Sequence, residues 1–293
     1  MEKNRHATTE LTGPCGEPVD FRRTLASHGV ATLLPNRIDE NVWTLERTLP
    51  SGTLRAVEEP AGFVSFEPRT EEPTLRRMLN LEEDLSGFYA VAAEDPLLSW
   101  VTRGAGRMLR SPTVYEDVVK TICTTNCAWS GTVRMVRALV DGLGNGTFPT
   151  PEAMAGAGED FYRDVVRAGY RGAYLRSLAA GVAEGATDLE QLLDPELPDE
   201  EAAARLLALP GVGPYAAAHV MMLVGRYSRL ILDSWTRPKY ASVNRGRKAT
   251  DRTIERRFRR YGRYGGLAFW LYPTRDWVAD AMVGGSAAPA TAT

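Results

Sequence analysis

Two rhythms of apolar residues run along this chain. In 41–49, 53–59 and 62–67, hydrophobic and polar positions alternate, and Pro50-Ser51-Gly52 and Pro60-Ala61-Gly62 separate the runs. Period-two alternation buries one face of a strand, and the Pro/Gly breaks mark turns, so a small antiparallel sheet is predicted. From Glu71 onward the period lengthens. Leu75, Met78 and Leu79, then Val114, Val118 and Ile122, recur at helical spacing. A short helix is predicted over 20–28 with Asp20 as N-cap. Ser111-Pro112 opens a longer helical stretch running through 117–143, interrupted at 124–130. Gly142-Leu143-Gly144-Asn145-Gly146 ends it. That cluster lacks the GxGxxG order and follows a helix, so it reads as a helix-terminating turn and not a dinucleotide loop. Further helices are expected over 159–168, 173–184, 188–193 and 200–207. The pattern divides the chain into a flexible tail (1–18), an α+β subdomain (19–100), a helical domain (101–280) and a low-complexity, disordered tail (281–293). The fold class is mainly α, with a small N-terminal antiparallel sheet.

Composition excludes more than it identifies. Of 293 residues, 44% are hydrophobic and 25% charged, as in ordinary soluble proteins, which excludes a collagen, a coiled coil or a mostly disordered chain. Cys15, Cys123 and Cys127 are too few for a disulfide framework and fit a reducing cytoplasm. The opening MEKNRHATTE has no apolar stretch to serve as a secretory leader. The longest apolar run, 216–224, is broken by His219 and far too short to span a bilayer. A soluble cytoplasmic protein with no membrane partner is expected.

Net charge is −2, but it is unevenly spread. Residues 1–100 carry 10 Lys/Arg against 17 Asp/Glu, and residues 237–263 carry 11 against 2, a local +9. A basic strip of that density suits phosphate contact, and it equally suits a solvated helix face.

The segment from 200 to 240 decides between them. A helix carrying Ala202, Leu206 and Leu209 runs into Leu209-Pro210-Gly211-Val212-Gly213, and a second helix begins at Pro214. Two glycines around one apolar residue make a tight turn, in which Val212 drops between the helices and Pro214 occupies a first-turn position. The free N–H groups at the new helix N-terminus suit a phosphate. An ordinary turn between helices has the same form. What separates the two is the basic strip just downstream together with a lone acid, Asp233, 20 residues beyond Gly213 and following Leu230-Ile231-Leu232. A carboxylate held among apolar neighbours acts strongly on nearby positive charge. Cleaving an N-glycosidic bond builds an oxocarbenium-like sugar, which such a carboxylate stabilises while orienting the attacking water. Asp233 also suits a helix N-cap, and the two roles are compatible.

These residues resemble the helix-hairpin-helix DNA glycosylase superfamily, in the branch that contains 3-methyladenine DNA glycosylase II and 8-oxoguanine DNA glycosylase. The likeness spans about residues 19–275 and is most specific over 209–233. Ser111 to Asn126 and Ala168-Gly-Tyr-Arg-Gly-Ala-Tyr174 extend it. The resemblance implies that Asp233 is the catalytic carboxylate. It implies that Gly211, Val212 and Gly213 hold the DNA backbone, with Arg237 and Lys239 among the phosphate-binding basic residues. Asn126 and Tyr170 would sit beside the gap left by a flipped base, and Arg171 would face the estranged base. The carbonyls of Leu207, Leu209 and Val212 match those that bind a monovalent cation, K+ or Na+. Bifunctional members carry a nucleophilic lysine where this chain has Tyr215, and Lys239 does not match that position, so the resemblance implies a glycosylase without a lyase step. No cysteine lies beyond Cys127, so an iron–sulfur cluster is excluded. Cys123 and Cys127 alone do not make a zinc site.

A flipped base must be stacked and read at its edge. Tyr215, Trp235, Trp129 and Trp270 are the candidate aromatics, with His219 one turn after Tyr215; each also suits plain core packing. Such a pocket favours an electron-poor alkylated purine, since cationic bases stack well on aromatic faces. The reading is a monomeric, nucleoid-associated enzyme acting on double-stranded DNA that contains a damaged base. Its alternatives are an 8-oxoguanine-type glycosylase and a non-catalytic DNA-binding protein.

Overall fold

In the computed structural model, residues 6–276 are described. The tail expected over 281–293 lies outside them. Five antiparallel strands form one sheet in the order β1-β5-β4-β3-β2: β1 Ala7–Glu10, β2 Asn36–Asp39, β3 Thr44–Leu49, β4 Gly52–Glu59 and β5 Phe63–Glu67. Alternation sets which face is buried. Leu45 opposes Ala56, and Ala56 opposes Phe66, so three strands send side chains to one core. α1 (Phe21–Leu25) and α2 (Glu72–Met78) cover that face with Phe21, Leu25, Leu75 and Met78. Asp20 caps α1 as predicted, its Oδ1 accepting the Arg23 N–H at 2.9 Å. The helix is shorter than 20–28.

The loose tail expected over 1–18 is corrected. Residues 7–10 form the edge strand β1, with Thr9 opposite Val64, and Thr12 bridges Pro18. Its ladder partner lies more than fifty residues away, so no local pattern announced it.

A second core gathers α4 (Val114–Thr124), α5 (Trp129–Leu143), α7 (Arg171–Ala183), α8 (Asp199–Leu207) and α9 (Pro214–Leu223). α6 (Pro151–Gly156) packs beside α7. The helix expected over 159–168 is a single π turn, Phe161–Val165. A third core joins α3 (Ser86–Ala93) to α10 (Thr236–Val243), α11 (Asp251–Phe258) and α12 (Gly265–Leu271). The boundary expected at 100 therefore falls nearer 84. α3 carries Phe88, whose ring lies 5.5 Å from that of Tyr264, so it packs with the C-terminal helices and not with the sheet.

α9 is the wall shared by both helical cores. Ala216, Ala217, Val220 and Met221 face one, and Ala218, Met222 and Leu223 face the other. Burial all round explains why this is the most apolar stretch of the chain. Among the described residues, no helix is long and apolar enough to cross a membrane.

A buried ionic cluster ties the sheet to α4. Arg47 of β3 grips Glu116 with two bonds, of 2.6 and 3.1 Å, and Lys120 reaches the same carboxylate at 2.7 Å. Arg47 also donates to Asn36 Oδ1 at 2.7 Å, and Lys120 to the Leu33 carbonyl at 3.3 Å. Burial alone would raise the Glu116 carboxyl, but the two cations outweigh it and hold the group below the usual range.

Candidate active site and nucleic-acid interface

α8 and α9 form the hairpin that the glycines predicted. Gly211 adopts φ +78, and a Cβ there would lie 2.8 Å from Tyr174, so conformation and space both require glycine. Val212 is buried between the helices. Gly213 and Pro214 are exposed, and no side chain caps α9. Its first N–H groups are therefore offered outward, as anion binding requires. The Leu209 carbonyl accepts the Val212 N–H at 3.2 Å. Those of Leu207 and Val212 accept no backbone bond among the described residues.

Asp233 closes the segment between α9 and α10 and caps α10. Its Oδ1 accepts the N–H groups of Trp235 (2.9 Å) and Thr236 (2.6 Å). Its own N–H donates to Thr236 Oγ1, which in turn donates to the Ile231 carbonyl. Oδ2 takes no hydrogen bond among the described residues. One oxygen thus fixes the carboxylate while the other stays available at a half-buried position. Capping and chemistry coexist, because a carboxylate has acceptor sites for both.

Beside it stands an aromatic cage. Trp235 lies 5.9 Å from Trp270, Trp270 6.3 Å from His219, His219 6.1 Å from Tyr215, and His28 5.6 Å from His219 by ring centroids. Trp129 packs against the loop that carries His28: a Cβ on Gly29 would meet its ring at 3.3 Å. Tyr215, Trp235 and Trp129 form the half-buried rim, and His28, His219 and Trp270 the buried floor. Burial pushes His219 down to about 4. It pushes His28 down to about 3, with His219 and Lys120 adding to the effect. Both imidazoles are therefore neutral. Tyr215 donates to or accepts from Thr124 Oγ1 at 3.2 Å, and burial raises its phenol, so it stays un-ionised. An open groove of about 620 Å³ runs beside the same end of α9, lined by Pro214, Tyr215, Ala218, Leu232 and Arg237 among others. Of the cage residues, Tyr215 alone borders it.

Sequence reasoning missed His28 and Gly29. The Leu109 carbonyl, 2.8 Å from His28 Nε2, and the Trp270 indole, which donates to the Ser27 carbonyl at 2.9 Å, hold that loop in the cage. Both contacts are remote in sequence, so no motif carried them.

A second surface element lies between α4 and α5. Asn126, at φ +46, donates to the Tyr170 hydroxyl at 3.2 Å, and Tyr170 is 54% exposed. Tyr170 meets Tyr174, which packs on Gly211, so loop and hairpin make one surface. Arg171 departs from expectation. It is buried, its guanidinium donates to the Thr125 and Ala168 carbonyls, and it lies on the Tyr170 ring. It braces the loop and is only 7% exposed.

The basic strip divides. Arg237 pairs bidentately with Asp251, Arg257 is held by Asn244 and the Tyr240 and Tyr272 rings, and Arg260 pairs with Asp95. Lys239 stands over the Trp235 ring at 5.8 Å. Arg245, Arg247, Lys248, Arg252, Arg256 and Arg259 are exposed, with no ion pair among the described residues.

No family model matches the chain. The N-glycosylase/DNA lyase OGG1 of Arabidopsis thaliana is 25% identical over 289 residues, covering 89% of this chain and 75% of that protein. The 8-oxoguanine glycosylase/lyase of Clostridium acetobutylicum superposes with a TM-score of 0.73 at 19% identity, over 93% of this chain and 97% of its own. The 3-methyladenine DNA glycosylase of Archaeoglobus fulgidus does so with 0.67 at 21% identity, over 92% and 98%.

Proposed function

We propose that this chain, whose fold is that of the helix-hairpin-helix DNA glycosylase superfamily, is a monofunctional DNA glycosylase of base excision repair acting on alkylated purines. The observation that carries the reading is Asp233. It is a single carboxylate, pinned through one oxygen and open at the other, beside an aromatic cage and one short segment from an uncapped hairpin helix.

In this mechanism the hairpin amides hold a phosphate while the damaged nucleotide leaves the stack and enters the cage. Trp235, Trp270 and Tyr215 surround the base; Asp233 stands under the sugar. The bond from C1′ to the base nitrogen breaks, and its electron pair leaves with the base. Asp233 stabilises the positive charge left on the sugar and accepts a proton from the water that adds to C1′. An N-alkylated cationic purine departs as a neutral molecule, so it needs no separate proton donor. With Tyr215 in place of an amine, no Schiff base forms and the strand stays intact.

Double-stranded DNA is the partner, met by the hairpin, by Asn126 and Tyr170, and by the unpaired basic residues of the strip. Arg237 and Arg171 support these surfaces and do not touch DNA directly. The Leu207, Leu209 and Val212 carbonyls are hard oxygen donors of the kind a K+ or Na+ ion takes. Such an ion would link the hairpin to a phosphate.

An 8-oxoguanine substrate is the second reading, favoured by the likeness to the Arabidopsis and Clostridium enzymes. A panel of duplexes, each with one methylated purine, 8-oxoguanine, uracil or hypoxanthine, decides. Free base from the methylated purines without strand nicking supports the proposal. Nicking, or release confined to 8-oxoguanine, overturns it.

A further inference from the structure

The floor of the cage holds polar atoms that the protein leaves unanswered. His28 Nε2 lies 2.8 Å from the Leu109 carbonyl, which only accepts, so Nε2 carries the proton. In a neutral ring Nδ1 is then a bare lone pair, and it is buried without a donor. His219 is 4% exposed, and neither of its ring nitrogens has a partner. One is a donor and the other an acceptor. Two lone pairs and one N–H are thus orphaned side by side, on rings 5.6 Å apart at 77°. Buried polar groups are nearly always paired, and leaving one unpaired is costly. Three together, beneath a rim of half-buried aromatics, mark a place where a ligand supplies the missing partners.

We propose that His28 and His219 form a base-reading pair whose two lone pairs accept the two hydrogens of an exocyclic amine. The site thereby selects amino-bearing purines over bases with an oxo group at that position. The inference rests on the cage being the base pocket. It goes further by naming the edge that is read. An amine supplies both donors from one atom. An oxo group meets the His28 Nδ1 lone pair, which the Leu109 bond keeps unprotonated, so lone pair faces lone pair there. A site built to bond an N–H discriminates strongly against an analogue that lacks it. His219 and His28 touch the base without taking part in bond cleavage, so they are specificity residues.

The test uses wild type, His219→Phe, which fills the space without polar atoms, and His219→Gln, which restores a donor and an acceptor. Each is loaded with an abasic-site duplex and titrated with free 3-methyladenine or free hypoxanthine, read by tryptophan fluorescence. Melting temperature reports on folding. Wild type is expected to bind 3-methyladenine about 10- to 100-fold tighter than hypoxanthine, the size of one or two hydrogen bonds lost with a buried group left unpaired. His219→Phe removes one of the two acceptors and shrinks the preference, and His219→Gln recovers part of it. Equal affinity for the two bases in wild type, or a preference unchanged in His219→Phe, overturns the proposal. Should that happen while methylated purines are still released from duplexes, the glycosylase reading stands and base reading fails. Conversely, a preference that depends on His219 in an enzyme that releases no base keeps the pair and removes the glycosylase.

Discussion

Glu116→Gln tests how the sheet is fastened to the helix that leads into the Asn126 loop. Glu116 is the anion between Arg47 and Lys120, and all three side chains are at most 2% exposed. Neutralising it leaves two buried cations facing each other without their counterion. Removing one partner of a buried ion pair costs about 3–5 kcal/mol, far more than the net worth of the pair. Unfolding entropy of roughly 2.1 cal/mol/K per residue gives about 0.6 kcal/mol/K for a chain of this length, so about 4 kcal/mol lowers the melting temperature by ~6–8 °C. Calorimetry measures it. Replacing all three together (Arg47→Met, Glu116→Leu, Lys120→Met) removes every charge and is expected to restore most of the loss, because the penalty lies in the unpaired ions. A Glu116→Gln melting temperature within about 1 °C of wild type would refute the reasoning, since buried cations without a partner must register.

Three further predictions concern other parts of the molecule. Burial pushes the Glu83 carboxyl up to about 7, so the folded state holds a proton that the unfolded chain releases near 4.5. Its contribution to stability is full below about pH 4.5 and lost as pH rises through 7, by ~3 kcal/mol; urea melts of wild type against Glu83→Gln across that range should show the gap, and parallel curves would contradict it. Gly211→Ala forces a side chain into φ +78 and against Tyr174, so affinity for any duplex should fall about tenfold or more while α9 stays folded. Replacing Arg252 and Arg256 by Ser should weaken duplex binding and lower the salt slope by about 1 for each phosphate that is no longer neutralised; an unchanged slope would mean that these residues face only water.

Where the physics is local, the residues were readable in order. The Gly211-Val212-Gly213 turn, the Pro214 start and the Asp20 cap follow from φ preferences and side-chain hydrogen bonds within a few positions. The alternation in 44–67 fixed which sheet face is buried, and Asp233 stood out as an acid directly after Leu230-Ile231-Leu232, 20 residues beyond Gly213. What long-range packing decides was not readable. β1 needs β5, and α3 needs the C-terminal helices. His28 enters the cage only because Leu109 and Trp270 hold its loop there. Arg171 carried an expected role in DNA reading, yet its guanidinium donors go to the Thr125 and Ala168 carbonyls. The basic strip was visible as a count, but which cations are spent on Asp251 and Asp95 needed the tertiary structure.

Asp233→Asn tests the central claim most directly. Asparagine keeps the oxygen that caps Trp235 and Thr236, and it ranks with aspartate as an N-cap, so the fold and α10 should be unaffected. Single-turnover base release from a duplex carrying one methylated purine is the measurement, with duplex affinity taken in parallel. Release is expected to fall about 10²–10³-fold or more, with affinity unchanged or raised because one negative charge near the phosphates is gone. Release within about twofold of wild type, a ΔΔG‡ of only ~0.4 kcal/mol, would contradict a catalytic role for Asp233.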